Sequence, residues 1–215
     1  MILYAHPFSS YCQKALIALY ENRTPHEVRL LEDPSAMAEL AALWPLKRFP
    51  VLVDDGMTVL EATTIIEHLA LAHPGPVALI PADPAAAVEV RMLDRVFDNY
   101  VSASQQRIIY NALRPEAERD PRADREARTV LDEIYPWLDQ RMRDREWATD
   151  HGFSLADCAA APALFYADWT HAIPEDLVPL KAYRARLLAR PSMARCVDEA
   201  RKYRSYFPLG APDRD

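Results

Sequence analysis

A group of hydroxyl and thiol side chains follows the first apolar segment of the chain. Residues 6–12 read HPFSSYC, so Ser9, Ser10 and Cys12 lie where a first strand would turn into a first helix. The N-terminus of a helix leaves N–H groups unpaired and carries a partial positive charge, so it stabilises a nearby anion. A serine at such a turn can cap the helix, or it can face a ligand.

The local pattern by itself favours capping. Ser10 and Gln13 have the spacing of a capping box, which predicts a helix that begins at about Tyr11. Cys12 lies on the apolar stripe of the same helix, which favours a small buried side chain over a reactive thiol.

Metal and phosphate chemistry have no clear local signature. The six histidines show no ligand spacing, the three cysteines are too far apart for a zinc site or a disulfide framework, and the four glycines form no phosphate loop. The sequence therefore predicts no metal site and no nucleotide cofactor.

Length and charge limit the class of protein. The chain has 215 residues, of which 50% are hydrophobic, so it can bury a substantial core. Its 25 Lys and Arg against 32 Asp and Glu give a formal charge of −7, which opposes a general nucleic-acid role. The N-terminal residues lack the features of a secretory signal, and no segment is apolar enough for a membrane helix. We therefore expect a cytoplasmic protein without membrane or nucleic-acid partners.

The elements that must position these side chains change character along the chain. Through residue 72 strand and helix patterns alternate, which predicts a mixed sheet with helices packed on its faces. The expected elements there are a strand at 1–5, a helix from about Tyr11 to the polar break at 21–25, a strand at 26–31, a helix at 34–43, hairpin strands at 49–53 and 57–60, and a helix at 61–72.

Only helical patterns follow the proline-rich stretch HPGPVALIPADP. We therefore predict a first domain at 1–74, a linker at 75–84 and an all-helical domain at 85–215. Its expected helices are about 84–113, 122–145, 155–169, 178–189 and 192–206.

Four segments, in this order along the chain, resemble the cytosolic glutathione S-transferases. SSYC has the spacing of the C-P-Y-C active site of thioredoxin-like proteins, with Ser9 in place of the first cysteine. Phe49-Pro50 stands where that fold carries a cis-proline, and FPVLVDDGMTVLEATTIIEHL resembles the glutathione-binding segment of the family. GFSLADCAAAPALFYADW resembles its buried helix, where Ser154 and Asp157 have capping-box spacing and a structural role.

The resemblance implies a fold and a way to activate the glutathione thiol. The expected fold is an α/β thioredoxin-like domain with a mixed four-stranded sheet, followed by an all-α helical-bundle domain. Ser9 is then the catalytic hydroxyl that donates a hydrogen bond to the thiolate, which favours the charged form of the thiol. Ser10 is the alternative, because one of the adjacent hydroxyls must cap the helix while the other faces the ligand. Replacement of the first cysteine by Ser9 also removes the attacking thiol of dithiol–disulfide exchange.

The same resemblance implies the residues that bind glutathione. Lys47 or Arg48 would reach the glycine carboxylate, and either side chain could instead be solvated surface. The backbone of Phe49, beside Pro50, would pair with the tripeptide as an added strand. Glu61 matches the acid that binds the γ-glutamyl amine, although it also suits the first turn of a helix.

One position departs from the family pattern. The usual Glu-Ser pair is Glu61-Ala62 here, which removes a hydroxyl expected on the γ-glutamyl carboxylate. The N–H groups of the helix and the side chain of Thr63 remain to bind that carboxylate. The departure therefore predicts weaker glutathione binding than a Glu-Ser pair would give.

A second substrate would lie between the domains. An ordinary core or interface role is at least as good an explanation for each side chain that we place in its pocket. These candidates are Phe8, Tyr100, Gln105, Arg107, Tyr110, Tyr166 and Trp169.

These features together predict a homodimeric glutathione transferase that acts on small electrophiles, in a detoxification role. Conjugation, isomerisation, dehalogenation and peroxide reduction all use the same activated thiolate, and the sequence does not choose among them. The alternative is a glutathione S-transferase-like protein that binds ligands or partner proteins without catalysis.

Overall fold

The computed structural model describes residues 1–215 and confirms the expected fold class. The first domain is a four-stranded mixed sheet in the order β2-β1-β3-β4, flanked by helices. Its elements are β1 (Ile2–Ala5), α1 (Ser10–Glu21), β2 (Glu27–Leu30), α2 (Pro34–Leu43), β3 (Val51–Asp54), β4 (Met57–Leu60) and α3 (Ala62–Ala72).

Strand β1 holds the sheet together because it pairs on both edges. It runs parallel to β2, with Leu3 opposite Val28, and antiparallel to β3, with Leu3 opposite Leu52. Leu3 and Leu52 are fully buried, so this register places their side chains in the core. The hairpin β3–β4 turns through Asp55 and Gly56, both at positive φ.

The second domain contains only helices. Its α-helices are α4 (Pro84–Val96), α5 (Ala103–Ala112), α6 (Pro121–Arg141), α7 (Leu155–Thr170), α8 (Val178–Ala189) and α9 (Pro191–Ala200). The predicted helix at 84–113 is interrupted by a π-helical segment at Phe97–Ser102, and the predicted helix at 192–206 ends as 3-10 turns at Arg201–Tyr206. The extra residue in a π turn rotates the side chains that follow it.

Helix α7 is the centre of this domain, because every residue of it is buried. The predicted capping box is present: the Asp157 carboxylate accepts hydrogen bonds from the Ser154 N–H at 2.9 Å and from its Oγ at 3.1 Å. It also accepts a hydrogen bond from the Tyr183 hydroxyl at 2.7 Å, which connects α7 to α8. The box therefore begins the helix and joins it to its neighbour.

The two domains share one apolar core. Residues of β1 and α1 belong to the same buried cluster as residues of α7 and α8. The Tyr166 hydroxyl adds a polar contact across the boundary, since it donates to the Phe8 carbonyl at 3.1 Å. None of the helices combines the length and the apolar character that a membrane crossing requires.

Candidate functional site

A cleft of about 540 Å³ lies between the two domains. The N-termini of α1 and α3, the loop before β3 and the inner face of α4 and α5 form its walls. Ser9, Lys47, Arg48, Phe49, Pro50, Glu61 and Ala62 all line it, so the structure brings together these expected residues from three separate segments.

Ser9 is the N-cap of α1. Its Oγ accepts a hydrogen bond from the Cys12 N–H at 3.4 Å, so the hydroxyl hydrogen is not used by the cap. The side chain is half-buried and lines both this cleft and the adjoining cavity. The Ser9 hydroxyl can therefore accept from the helix and donate to a ligand. From the sequence, we expected one serine to cap the helix and the other to face the ligand.

Ser10 has a different environment. It is the first residue of α1 and is buried, and its Oγ accepts from the Gln106 amide at 3.4 Å. The predicted capping box of Ser10 and Gln13 does not form, because Gln13 donates to the Pro7 carbonyl and to the Tyr166 hydroxyl. The helix accordingly begins one residue earlier than predicted.

Cys12 is fully buried under the turn. Burial raises the pKa of its thiol to about 12, although hydrogen bonds with the His6 N–H and with the Ser9 side chain oppose the shift. The thiol is therefore protonated at neutral pH. A buried thiol of this kind fits the expected packing role and provides no nucleophile to the cleft.

The segment before β3 supplies backbone and positive charge. The Phe49–Pro50 peptide bond is cis, as the sequence predicted, and both residues line the cleft. Lys47 has φ 52°, and Arg48 reaches across to the second domain, where it donates to the Tyr110 hydroxyl at 3.4 Å. Both basic side chains are exposed at the rim of the cleft.

The N-terminus of α3 forms the opposite wall. Glu61 has φ 66° and ψ 126°, a sparsely populated conformation for a residue other than glycine. Its side chain makes no capping hydrogen bond, so it does not pair with the first N–H groups of α3. A carboxylate of a ligand placed here would be stabilised by those N–H groups and by the helix dipole.

Thr63 does not line the cleft, which corrects the expectation that its hydroxyl compensates for Ala62. Its Oγ1 accepts from Lys14 Nζ at 2.8 Å and donates to Asp94 at 3.0 Å. Arg95 contacts the same hydroxyl. The Thr63 side chain is therefore committed to a buried network.

The sequence reasoning missed that network. Lys14 is 1% exposed and forms ion pairs with Asp94 at 2.5 Å and with Asp98 at 2.7 Å. Arg95 contacts both carboxylates and also lines the cleft. Burial raises the pKa of Asp98, an effect that Lys14 opposes. The signal in the sequence is a lysine at a buried position of α1, where solvation would otherwise be expected.

Tyr11 is a second cleft residue that the sequence reasoning did not identify. Burial, with smaller contributions from Asp98 and Tyr110, raises the pKa of its phenol to about 12. The phenol therefore remains protonated and available as a hydrogen-bond donor at neutral pH.

An adjoining cavity of about 270 Å³ is lined mostly by apolar and aromatic side chains. It holds Phe8, Gln105, Tyr110 and Tyr166 of the predicted second pocket, together with His6. Burial lowers the pKa of His6, so the imidazole is neutral near pH 7. Residues that the sequence reasoning did not place here are Gln106, Ile109, Leu113, Tyr206, Phe207 and Pro208.

Three predicted pocket residues lie elsewhere. Tyr100 is in the π-helical segment and points into an outer groove with Trp137, because the π turn shifts its face. Arg107 is exposed and pairs with Glu126 of α6, whereas its neighbour Gln106 faces the cavity. Trp169 packs behind the wall against other aromatic rings and lines neither cavity.

Two family models match this chain. The model for the glutathione S-transferase N-terminal domain covers residues 3–77, and the model for the C-terminal domain covers residues 101–191. The FtsZ-localized protein A of Caulobacter vibrioides is 30% identical over 203 residues, with 88% of this chain and 87% of that protein covered.

A second relative and a solved structure align with most of the chain. The stringent starvation protein A homolog of Coxiella burnetii is 24% identical, with 93% of this chain and 92% of that protein covered. A glutathione S-transferase of Methylobacillus flagellatus, solved with GSH bound, superposes with a TM-score of 0.81. It is 25% identical and covers 91% of this chain and 98% of its own.

Proposed function

The chain belongs to the cytosolic glutathione S-transferase family, and we propose that it binds glutathione between its domains and activates the thiol for attack on a small electrophile. The observation that carries the proposal is the position of Ser9. Its hydroxyl lies at the N-terminus of α1, on the wall that the polar cleft and the apolar cavity share.

The charges around the cleft complement those of glutathione, which has carboxylates at both ends and an ammonium group at one of them. Lys47 and Arg48 would hold the glycine carboxylate, and the N–H groups at the start of α3 would hold the γ-glutamyl carboxylate. Glu61 is close to that helix terminus and would hold the ammonium group. The edge of Phe49, next to the cis-proline, would take the peptide backbone as an added strand.

Ser9 would then shift the ionisation of the thiol. A free thiol has a pKa of about 8.5 and is mostly protonated at neutral pH. Donation of a hydrogen bond by Ser9 Oγ–H stabilises the thiolate but not the thiol, and the N-terminus of α1 acts in the same direction. Each unit of lowered pKa corresponds to about 1.4 kcal/mol.

The second substrate would lie in the adjoining cavity. Phe8, Tyr166 and Phe207 give it aromatic walls, so an apolar or aromatic electrophile of small size suits it. The geometry is equally compatible with conjugation, isomerisation, dehalogenation and peroxide reduction, because each begins from the same thiolate.

Calorimetric titration with glutathione tests the first step of the proposal. We expect saturable binding by the wild-type protein, and at least tenfold weaker binding by Glu61→Gln because the ammonium group loses its carboxylate. The matched control is Glu118→Gln, which removes an exposed carboxylate outside the cleft. Absence of heat at millimolar glutathione, or equal effects of the two variants, would contradict the proposal.

A second candidate function is supported by the relatives. Two proteins that align with most of this chain are named for FtsZ localisation and for stringent starvation rather than for transferase activity. Ala62 also lacks the hydroxyl that the family usually places there. The second candidate is a protein of this fold that engages partner proteins, and it predicts glutathione binding without turnover of any member of an electrophile panel.

We also propose that the protein is a homodimer. Val88, Met92, Tyr100 and Trp137 are large apolar side chains that remain exposed on α4, the π-helical segment and α6. A groove of about 380 Å³ lies between Tyr100 and Trp137. Exposed apolar clusters of this kind commonly mark interfaces, and two-fold dimers are the commonest soluble assembly.

A further inference from the structure

We propose that Asp54, His68 and His73 form a binding site for a divalent transition-metal ion of the zinc type. The site lies at the end of β3 and the C-terminus of α3. The glutathione cleft is at the other end of α3, about 16 Å away along the helix axis at 1.5 Å per residue. The proposal is therefore independent of the proposed transferase function.

Three potential ligand atoms converge at this point. His68 Nε2 lies 2.8 Å and His73 Nε2 lies 2.6 Å from the same oxygen, Oδ2 of Asp54. The three atoms all lie within 4.8 Å of one another. A zinc ion about 2.0 to 2.1 Å from each atom needs tetrahedral edges of about 3.3 Å, so the two shorter separations must widen by about 0.5 to 0.7 Å.

The chemistry of the donors suits this class of ion. Imidazole nitrogen with one carboxylate oxygen is a common ligand set for zinc and its neighbours, whereas magnesium and calcium prefer oxygen ligands alone. A carboxylate only accepts hydrogen bonds, so both Nε2 atoms carry hydrogen in the present arrangement. A metal-bound imidazole carries its hydrogen on Nδ1, so the Nε2 hydrogens must leave before the Nε2 lone pairs can bind the ion.

Burial and access also suit an ion. Asp54 is buried, and its only ion-pair partners are these two imidazoles. The side chains of His68 and His73 are 19% and 33% exposed, so an ion can enter and water can complete the coordination. Three protein ligands with an open fourth position are typical of zinc sites that keep a bound water.

The spacing explains why the sequence reasoning predicted no metal site. Two histidines five residues apart do not share the face of a continuous α-helix, on which neighbours are three or four residues apart. His73 lies just beyond the last helical residue, where φ is −134° and the backbone leaves the helix. That departure brings its ring to the same carboxylate as His68.

Metal titration of the chelator-treated full-length protein tests the proposal. Co²⁺ serves as a spectroscopic probe, and Zn²⁺ affinity is measured by competition with a chromophoric chelator. We expect one ion per chain, visible absorption bands of tetrahedral Co²⁺, and at least tenfold weaker Zn²⁺ binding in His68→Gln and in His73→Gln. We also expect Zn²⁺ to raise the Tm of the wild-type protein but not that of the double variant His68→Gln/His73→Gln.

The matched control is His171→Gln, because His171 Nε2 pairs with a single carboxylate, Asp132, at 2.6 Å. It should leave Zn²⁺ affinity unchanged. A metal-free variant that keeps the Tm of the metal-free wild type has lost a ligand and not its fold. Asp54→Asn is a further ligand variant, and it keeps the shape of the side chain. Equal Zn²⁺ affinity in the wild type and the double variant, or no binding at 100-fold excess of ion over protein, would overturn the proposal.

Discussion

At the scale of single residues, the hydroxyl of Ser9 combines two roles because it can accept and donate at the same time. It accepts from the Cys12 N–H as the cap of α1, and because the cap does not use its hydrogen, the hydroxyl can donate to a ligand in the cleft. Ser10, one residue later, lines the adjoining cavity instead of the cleft, and its Oγ accepts a hydrogen bond from Gln106. The roles of the two serines can therefore be tested separately by substitution.

We expect Ser9→Ala to raise the pKa of the bound glutathione thiol by about 1 to 2 units, because a hydrogen bond to a charged group contributes about 1.5 to 3 kcal/mol. Loss of the cap should also destabilise the protein by about 1 kcal/mol. Thiolate absorbance in the ultraviolet, measured against pH, gives the first quantity. Ser9→Thr keeps the hydroxyl and should restore the lower pKa.

Ser10→Ala is the matched control for this experiment, since it removes the adjacent hydroxyl, which lines the adjoining cavity and not the cleft. Its bound thiol should titrate like that of the wild-type protein. A raised pKa in Ser10→Ala but not in Ser9→Ala would reverse the assignment. Tyr11→Phe removes a phenol hydroxyl that also lines the cleft, and a larger effect there would transfer the role to Tyr11.

Ala62→Ser should tighten glutathione binding about tenfold, the low end of the value of a hydrogen bond to a charged group. The Thr63 hydroxyl is held by Lys14 and Asp94, so it does not already supply this bond. The substitution should change the affinity for glutathione but not the pKa of its thiol, because the thiol would lie at the other end of the cleft.

Ala72→Ser controls for the lower helix propensity of serine, since Ala72 is exposed at the far end of the same helix. Calorimetric titrations of all three proteins in identical salt give the comparison. Equal affinities of Ala62→Ser and the wild type would show that the N–H groups of α3 suffice for the carboxylate.

At the scale of elements, the buried network around Lys14 joins three helices. Lys14 comes from α1, Thr63 from α3, and Asp94 from α4, with Asp98 at the start of the π-helical segment. A buried cation facing two buried carboxylates is stable only as a set, because removal of one member leaves uncompensated charge. The same set fixes Arg95, which lines the cleft.

We therefore expect Lys14→Met to lower the free energy of unfolding by about 3 to 5 kcal/mol, as for other broken buried ion pairs. Urea denaturation measures this loss. Arg122→Met, which breaks an exposed pair with Glu126 on α6, should have a much smaller effect. The double variant Lys14→Met/Asp94→Asn should recover part of the loss, and no recovery would mean that packing rather than charge dominates at Lys14.

At the scale of the whole molecule, the exposed apolar side chains of α4 and α6 predict that two copies of the chain form a dimer. Trp137 and Tyr100 flank the outer groove, and Trp137 is 43% exposed. A charge placed at the centre of an apolar interface is costly to bury. Trp137→Glu should therefore convert a dimer to a monomer at micromolar concentration.

Sedimentation velocity tests this prediction directly. Val178→Glu is the control, because Val178 is an exposed apolar side chain on α8, away from the groove. It should remain a dimer. A wild-type protein that sediments only at the monomer mass, or a Val178→Glu variant that dissociates like Trp137→Glu, would contradict this interface.

The sequence by itself determined the order of elements and the segments that form the cleft. Alternating and helical periods are local properties, so the βαβαββα pattern and the helical second half could be predicted from neighbours along the chain. Ser9, Phe49 and Glu61 were expected in one site because their segments resemble those of the glutathione S-transferase family, and all three line the cleft. The cis peptide bond between Phe49 and Pro50 was expected from the same resemblance.

Only the tertiary structure decided which face each side chain presents. One π turn moved Tyr100 to the outer groove, and about 100° of helix rotation separates Arg107 from Gln106. Lys14 and Asp94 are far apart in the chain, as are Asp54 and His73, so their contacts depend on packing between elements. Long-range contacts of this kind leave no local period in the sequence, and they determine both the network beneath the cleft and the proposed metal site.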